Sequence, residues 1–251
     1  MDNGGTAKPV EASALTSSTF LGLQRLTAVD TVRARIGLAV DLGLMKPSER
    51  LPDTTEIAQA LDVSEITVRR ALERLCADGV LLRLRGRSGG TLVAPEPRTG
   101  TVAEVAAYHS ATEHVHRLID QRVIVDCGLA ALAAAKPTKR ALQQMRRSIR
   151  DMDRAESWAQ FHHSDEAFHR AVARASRLRG AEEAYLPVLH ELYRFYLPYP
   201  IDYLRSSNDE HRQLVDALER GDTDGAVAVA RNHVETLHRT MFMGLSGQPN
   251  H

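Results

Sequence analysis

The chain has few cysteines, few aromatic residues and no long apolar run. Cys76 and Cys127 are the only two cysteines in 251 residues, and they form no C-x-x-C pair. That excludes a disulfide-built scaffold or a cysteine-rich zinc site, and it fits a reduced, cytoplasmic protein. Aromatics make up only 5% of the residues, which with abundant Ala and Leu favours helices over a large sheet. The longest uncharged apolar stretch, Cys127 to Ala135, falls well short of the roughly 20 residues that cross a bilayer, so no membrane partner is expected. No basic-then-apolar leader opens the chain, and nothing points to export. Net charge is absent too, since 32 Lys+Arg balance 32 Asp+Glu. Hydrophobic residues at 43% and charged residues at 25% exclude a disordered chain or a fibre. The length suits one or two domains, each able to bury its own core.

Residues 1–22 are rich in Gly, Ser, Thr and Ala without periodicity and read as a disordered arm; residues 244–251 read as a loose tail. Ala94-Pro95-Glu96-Pro97-Arg98-Thr99-Gly100 contains two prolines and a glycine that neither a helix nor a strand can run through, so 95–100 is a linker. It divides a block at 23–94 from a block at 101–243. No fixed-period repeat is visible.

The first block reads as three helices and a hairpin. Thr27-Ala28-Val29-Asp30 and Asp53-Thr54-Thr55-Glu56 are capping boxes, the first opening a helix that ends near Gly43. Ser64 caps a third helix whose Val68, Ala71, Leu72 and Leu75 follow i, i+3, i+4, i+7 spacing, with Gly79 as its C′ glycine. Leu82 and Leu84 then alternate with Arg83, Arg85 and Arg87 before a Gly86–Gly90 turn and Thr91-Leu92-Val93, which predicts a hairpin with one apolar and one basic side. The second block has helical spacing over Thr112 to Ala135, Thr138 to Arg154, Ser157 to Ala175 and Asp224 to Phe242, broken by Pro137, Gly180, Pro198, Pro200 and Gly221. The expected fold is mainly α: a winged helix-turn-helix joined to an all-α bundle of six or seven helices.

A short helix, a turn and a capped helix form a helix-turn-helix, and the hairpin adds a wing. With the Val68/Ala71/Leu72/Leu75 stripe inward, Thr67, Arg69 and Arg70 lie near the end that enters a major groove, and Arg74 lies further along. Arginine there can bridge guanine O6 and N7 or clamp phosphate. From Arg69 to Arg98 seven arginines face Glu73, Asp78 and Glu96, a local excess of four positive charges in a neutral chain. Gly86-Arg87-Ser88-Gly89-Gly90 also fits the G-x-S-x-G elbow of hydrolases. That elbow needs a helix after it on a parallel sheet, whereas a second strand and Pro95 follow here, so a hairpin tip is the favoured role.

Leu44-Met45-Lys46-Pro47-Ser48-Glu49-Arg50-Leu51-Pro52, Glu56-Ile57-Ala58, Val63 through Leu75, and Asp78-Gly79-Val80 resemble the winged helix-turn-helix of the GntR transcription regulators over about residues 26–94. The resemblance implies DNA contacts from Ser64, Thr67, Arg69, Arg85 and Gly86; the basic face adds Arg70 and Arg87. Glu65 stands where the family commonly has arginine. Glutamate cannot read guanine and repels phosphate, so an altered operator preference is expected.

Eleven histidines make their positions informative. Asp165 and His169 stand four apart on one helix face. His211 lies ten residues before Gly221 and His233 twelve after it. At about 1.5 Å per residue, an antiparallel helix pair folded there brings the two imidazoles to nearly the same height. If the Asp165/His169 helix packs on that pair, one carboxylate and three imidazoles converge on a set that suits Zn²⁺, Ni²⁺ or a similar divalent ion. Asp165-Glu166-Ala167-Phe168-His169, Glu210-His211-Arg212-Gln213-Leu214, Gly221-Asp222 and the helix to His233 resemble the FadR C-terminal (FCD) effector domain over about residues 112–242, as does Arg122 to Ala135. Many such domains hold a metal with one Asp and three His, and the resemblance implies that role for Asp165, His169, His211 and His233. Asp126 replaces a usual glutamate, and Arg177 a common asparagine. His162 and His163, with His114 and His116, are read as surface or rim; Trp158, Tyr193 and Tyr196 are read as packing.

The combined reading is a homodimeric, DNA-binding regulator, repressor in sense, that reads an inverted repeat in double-stranded DNA and is not an enzyme. Its operator affinity is set by a small organic acid bound partly at the metal, with Arg122 as the second clamp. The alternatives are a metal-dependent hydrolase using the Asp/His cluster, against which no H-E-x-x-H appears, and a regulator or dimerisation module whose histidines are structural.

Overall fold

The computed structural model describes residues 26–86 and 89–245. The arm at 1–22, Arg87 and the tail beyond 245 lie outside the described residues.

Helix α1 (Ala28–Asp41) opens on the Thr27/Asp30 capping box, and α2 (Thr54–Leu61) on the Asp53/Glu56 box. Helix α3 (Glu65–Ala77) starts at Ser64, whose side chain accepts from the Thr67 amide at 3.1 Å. Each such cap contributes about 1 kcal/mol and sets the direction of its helix. Val68, Ala71, Leu72 and Leu75 of α3 are all at most 2% exposed, and each larger apolar side chain buried there contributes about 1.5–3 kcal/mol. Gly79, at φ 78°, ends α3 in the left-handed conformation that glycine adopts without strain.

Strands β1 (Leu81–Leu84) and β2 (Gly90–Val93) pair antiparallel, with Leu81 opposite Val93 and Leu84 opposite Gly90. The segment before α2 runs along the other edge of β2 through Leu51 N to Thr91 O, Ser48 N to Val93 O and Val93 N to Glu49 O. The wing is therefore held on both edges of β2. Its polarity differs from the expected one. Leu81 and Val93 are the inward residues, whereas Leu82 and Leu84 are exposed, because the strand phase is set by Val80 and Leu81 entering the core rather than by the later leucines.

The linker is tied down. Ala94 N donates to Val80 O, Arg98 N to Gly79 O, and Gly100 N to the Asp41 carboxylate at 3.0 Å. Val102 packs on α1 at Gly37, where a Cβ would meet the valine methyl at 2.8 Å. A glycine in mid-helix costs about 1 kcal/mol, and here it permits that close approach.

Beyond the linker come α4 (Val105–Ser110), α5 (Thr112–Ala135), α6 (Lys139–Arg154), α7 (Trp158–Ala175), α8 (Ala181–Tyr193), α9 (Ile201–Arg220), α10 (Thr223–Glu235), α11 (Leu237–Thr240) and α12 (Phe242–Leu245). Six are long helices and three are short turns. The run from Asp224 to Phe242 is not one helix: it breaks at Thr236 and again at Met241. Helix α12 also takes in Gly244 and Leu245, the first two residues assigned to the loose tail. One apolar core packs α5 to α10 together. A second runs without interruption from α1–α3 through Val102 and Tyr108 to Trp158, Phe195 and Phe242. The winged block thus shares a core with one end of the bundle.

Candidate functional site

The outer face of α3 and the wing carry the basic residues. Ser64, Arg69, Arg70, Arg85 and Gly86 are exposed, and Thr67 is half-buried. Ser64 Oγ and Thr67 Oγ1 lie 2.9 Å apart at the helix N-terminus, where free amides favour a phosphate. Arg69 does not stand free. Its guanidinium donates to Glu65 at 2.5 Å, and the same carboxylate accepts from Thr55 Oγ1 at 2.9 Å. Glu65 thereby engages the guanidinium of Arg69 on the exposed face of α3. Ile66 beside it is 60% exposed, an apolar side chain that can meet a thymine methyl. Arg74 points elsewhere, towards Asp30 at 3.3 Å.

The second site lies in the bundle. Helices α9 and α10 fold antiparallel about Gly221, which takes φ 68°, and α7 packs across them. His169, His211 and His233 each place a ring nitrogen so that the three lie within 4.8 Å of one another. Ring centroids stand 5.4 Å apart for His169 and His211 and 4.7 Å for His211 and His233. Asp165 Oδ1 lies 3.7 Å from His169 Nε2 and 3.5 Å from His211 Nε2. The four residues named from the sequence are thus brought together.

Neighbouring side chains orient these groups. Asn208, fully buried, donates through Nδ2 to Ile149 O and Asp153, so its Oδ1 faces His211 Nδ1 at 3.0 Å as an acceptor. That places the proton on Nδ1 and leaves the lone pair on Nε2, which is buried with no hydrogen-bond partner. Glu210 does the same for His233, with its carboxylate 2.7 Å from Nδ1. Tyr193 OH donates to Asp165 Oδ2 at 2.7 Å. Such oxygen acceptors on the outer nitrogen are the usual support of metal-ligating histidines. Burial, aided by Arg122 and the neighbouring imidazoles, holds His169 and His211 well below the ordinary histidine pKa, so both are neutral and able to donate a lone pair. Burial also raises the Asp165 carboxyl, opposed by Arg122 and the Tyr193 hydrogen bond. An orphaned imidazole nitrogen, two oriented rings and a carboxylate fit a divalent ion.

Arg122 is fully buried beside the cluster. It pairs with Asp126 at 3.2 Å, and its other nitrogens reach Tyr196 OH at 3.0 Å and His169 Nε2 at 2.9 Å. It does not line the adjoining cavity, a space of about 100 Å³ walled by Trp158, Phe161, Tyr199, Leu204, Leu237 and Met241, with Asp165, His169 and His233 at one side. His162 lines it too, half-buried and packed edge-on to Tyr193, with its pKa pushed down to about 3, chiefly by burial; His163 is exposed. Tyr196, read as packing, is half-buried on the cavity wall. Arg177 takes φ 59°, a left-handed conformation in which asparagine is better tolerated than arginine.

The sequence did not mark Asn208 or Glu210 as orienting groups or Arg35 of α1 as cavity-lining, and Tyr193, read as packing, also holds Asp165. Asn208 and Glu210 had a signal: they stand three residues and one residue before His211.

Two stretches match known families. Residues 28–93 match the bacterial regulatory proteins of the gntR family, and residues 117–236 match the FCD domain. The chain is 26% identical over 224 residues to the putative HTH-type transcriptional regulator RmpR of Mycobacterium gastri, covering 87% of this chain and 81% of that one. It is 26% identical over 230 residues to a putative L-lactate dehydrogenase operon regulatory protein of Escherichia coli strain K12, covering 84% and 85%. Among solved structures, a GntR-family transcriptional regulator from Pseudomonas syringae pv. tomato shares 18% identity over 89% of this chain and 100% of that chain, with a TM-score of 0.46. Among the described residues no helix is long and apolar enough to cross a membrane.

Proposed function

The chain belongs to the GntR family of DNA-binding transcription regulators and carries an FCD domain, and from that premise we propose that it is a metal-dependent repressor released from its operator by a small carboxylate. The observation that carries this reading is the buried, unpartnered His211 Nε2, set among His169, His233 and Asp165, the last three of which line a largely apolar cavity. A buried polar atom without a partner costs stability, and a cation there would satisfy it.

Asp165, His169, His211 and His233 would hold Zn²⁺ or Ni²⁺. A divalent ion bound there would supply a positive centre able to accept a carboxylate oxygen in otherwise apolar surroundings. The chain's own residues do the rest. Asn208 and Glu210 fix the tautomers of two ligands, Tyr193 steadies the carboxylate, and Trp158, Phe161 and Tyr199 exclude water. Arg122, held against His169 and Tyr196, acts on a bound anion from behind the wall.

At the other end, Ser64, Thr67, Arg69, Arg70, Arg85, Gly86 and Arg87 form the DNA-facing set. One winged helix reads only a few base pairs, so a homodimer on an inverted repeat doubles the contacts and gives the operator its two-fold symmetry. Repression follows from occupancy of the operator alone, and the site of action is the cytoplasm, where the chromosome lies.

Calorimetry tests this reading, with acetate, L-lactate, succinate and citrate titrated into zinc-loaded wild type and into metal-stripped His211→Ala. An acid that alters DNA binding should bind the first and not the second. Equal binding to both would make the metal structural and overturn the mechanism.

A further inference from the structure

Arg35 belongs to α1 of the DNA-binding block, yet it lines the cavity of the helical block. It is 4% exposed, and its Nε donates to the Tyr196 carbonyl at 2.6 Å. No carboxylate among the described residues pairs with it. The charged or titratable groups that act on it are Tyr108, Tyr199 and a second cation, Arg194, and burial presses its pKa down. Its neighbours show how unusual this is. Arg33, one residue pair earlier on the same helix, is held by Asp78 and Glu104, and Arg122 is held by Asp126. A guanidinium taken out of water without a counter-ion is strongly unfavourable, and the compensation normally comes from an anion. Here the space beside it is a cavity rather than a side chain.

We infer that Arg35 is the anion clamp of the effector cavity, and that by standing on α1 it couples the ligand directly to the DNA-binding domain. The inference rests on the carboxylate reading above and adds the residue that transmits it. A cavity of about 100 Å³, at the roughly 30 Å³ that a water takes up in the liquid, has room for about three waters. It therefore suits a short-chain organic acid. Guanidinium binds such a carboxylate through paired N–H groups, and Nε already anchors the side chain to Tyr196. Tyr196 accepts from Arg35 at its backbone carbonyl and from Arg122 at its hydroxyl, and Arg122 reaches His169, so Tyr196 bridges α1 to the histidine cluster. Helix α1 packs on α3, which carries Arg69 and Arg70. An anion that pulls on Arg35 thus acts two helices away from the bases without any swing about the tethered linker. It shifts the equilibrium only by its differential affinity for the two placements of α1.

The test uses the full chain loaded with zinc, as wild type, Arg35→Gln and Arg35→Lys, with succinate as probe and uncharged succinamide as control. Calorimetry should show succinate at least tenfold weaker on Arg35→Gln, partly restored on Arg35→Lys, with succinamide weak throughout. Zinc affinity, read by chelator competition, should stay within twofold in every variant. Hydrogen exchange should show succinate protecting α1 amides in wild type and not in Arg35→Gln; Arg35→Lys keeps the comparison open if the glutamine variant does not fold. Equal succinate affinity in wild type and a folded variant would overturn the clamp, as would wild type that binds none of succinate, malate or phosphate better than chloride. Arg35-dependent succinate binding in protein that takes up no zinc would instead overturn the metal reading and leave the clamp standing.

Discussion

Asn208→Leu separates a metal ligand from a packed histidine. Asn208 is fully buried, and its Oδ1 is the acceptor that keeps the proton on His211 Nδ1. Leucine has about the same shape but accepts nothing, so the imidazole is free to carry its proton on Nε2, the nitrogen that faces the cluster. Loss of such an orienting partner typically weakens metal affinity by about 10- to 100-fold. At about 1.4 kcal/mol per factor of ten, that is about 1.4–2.8 kcal/mol of binding free energy. The fold also loses something, since Asn208 Nδ2 no longer serves Ile149 O and Asp153. Asp153 keeps Arg212 at 2.5 Å, which limits the loss to about 1–3 kcal/mol of stability. Zinc affinity by chelator competition and thermal melting of the stripped protein read the two effects separately. A folded variant whose zinc affinity stays within twofold of wild type would refute the reasoning, because His211 would then not be a ligand held by Asn208.

Other outcomes follow from the same contacts. Arg69→Ala should cost about 1–3 kcal/mol on a selected operator if the arginine reads a base, whereas a phosphate contact would weaken every duplex alike and lower the salt slope by about one; titrations on two duplexes at several salt concentrations distinguish them. Glu65→Gln removes the carboxylate that holds Arg69 and a negative charge facing phosphate, so non-specific duplex affinity should rise; unchanged affinity would mean that the Glu65–Arg69 pair opens freely on DNA. His169 and His211 titrate lower in the folded chain than unfolded, so the unfolded chain binds more protons. The metal-stripped protein should therefore lose stability as pH falls below about 6.5, and melting temperatures flat between pH 7.5 and 5.5 would contradict the burial of these rings. Sedimentation should give a dimer, and a monomer that binds a half-site with undiminished affinity would remove the two-fold arrangement.

The local rules were largely readable from the residues. Both capping boxes, the Ser64 cap, the α3 stripe and the Gly221 reversal depend on residues within about two helical turns of one another, and they are formed as the spacing predicts. The convergence of His211 and His233 was legible because a reversal at a known glycine fixes the height of residues nearly equidistant from it, ten before and twelve after Gly221. What remained hidden depends on packing partners. Periodicity names an apolar face without saying what covers it: Leu82 and Leu84 share the apolar side of the hairpin, yet that side is exposed and Val80 and Leu81 enter the core. Helix α1 carried a signal in retrospect: Ile36-Gly37-Leu38-Ala39-Val40 is apolar on every side, as expected of a helix covered on more than one face. Within such a helix Arg35 is the exception, and only the cavity beside it explains the charge.

The central claim is that the state of the bundle cavity sets the affinity of the winged domain for DNA. The most direct measurement is operator affinity by fluorescence anisotropy, with the operator taken from selection on random duplexes. It is read on one zinc-loaded preparation with and without an acid whose cavity occupancy calorimetry has established. Coupling of the usual size, about 1–3 kcal/mol, predicts a 5- to 150-fold loss of operator affinity when the cavity is filled. Operator affinity that stays the same while the cavity is demonstrably occupied would contradict the account.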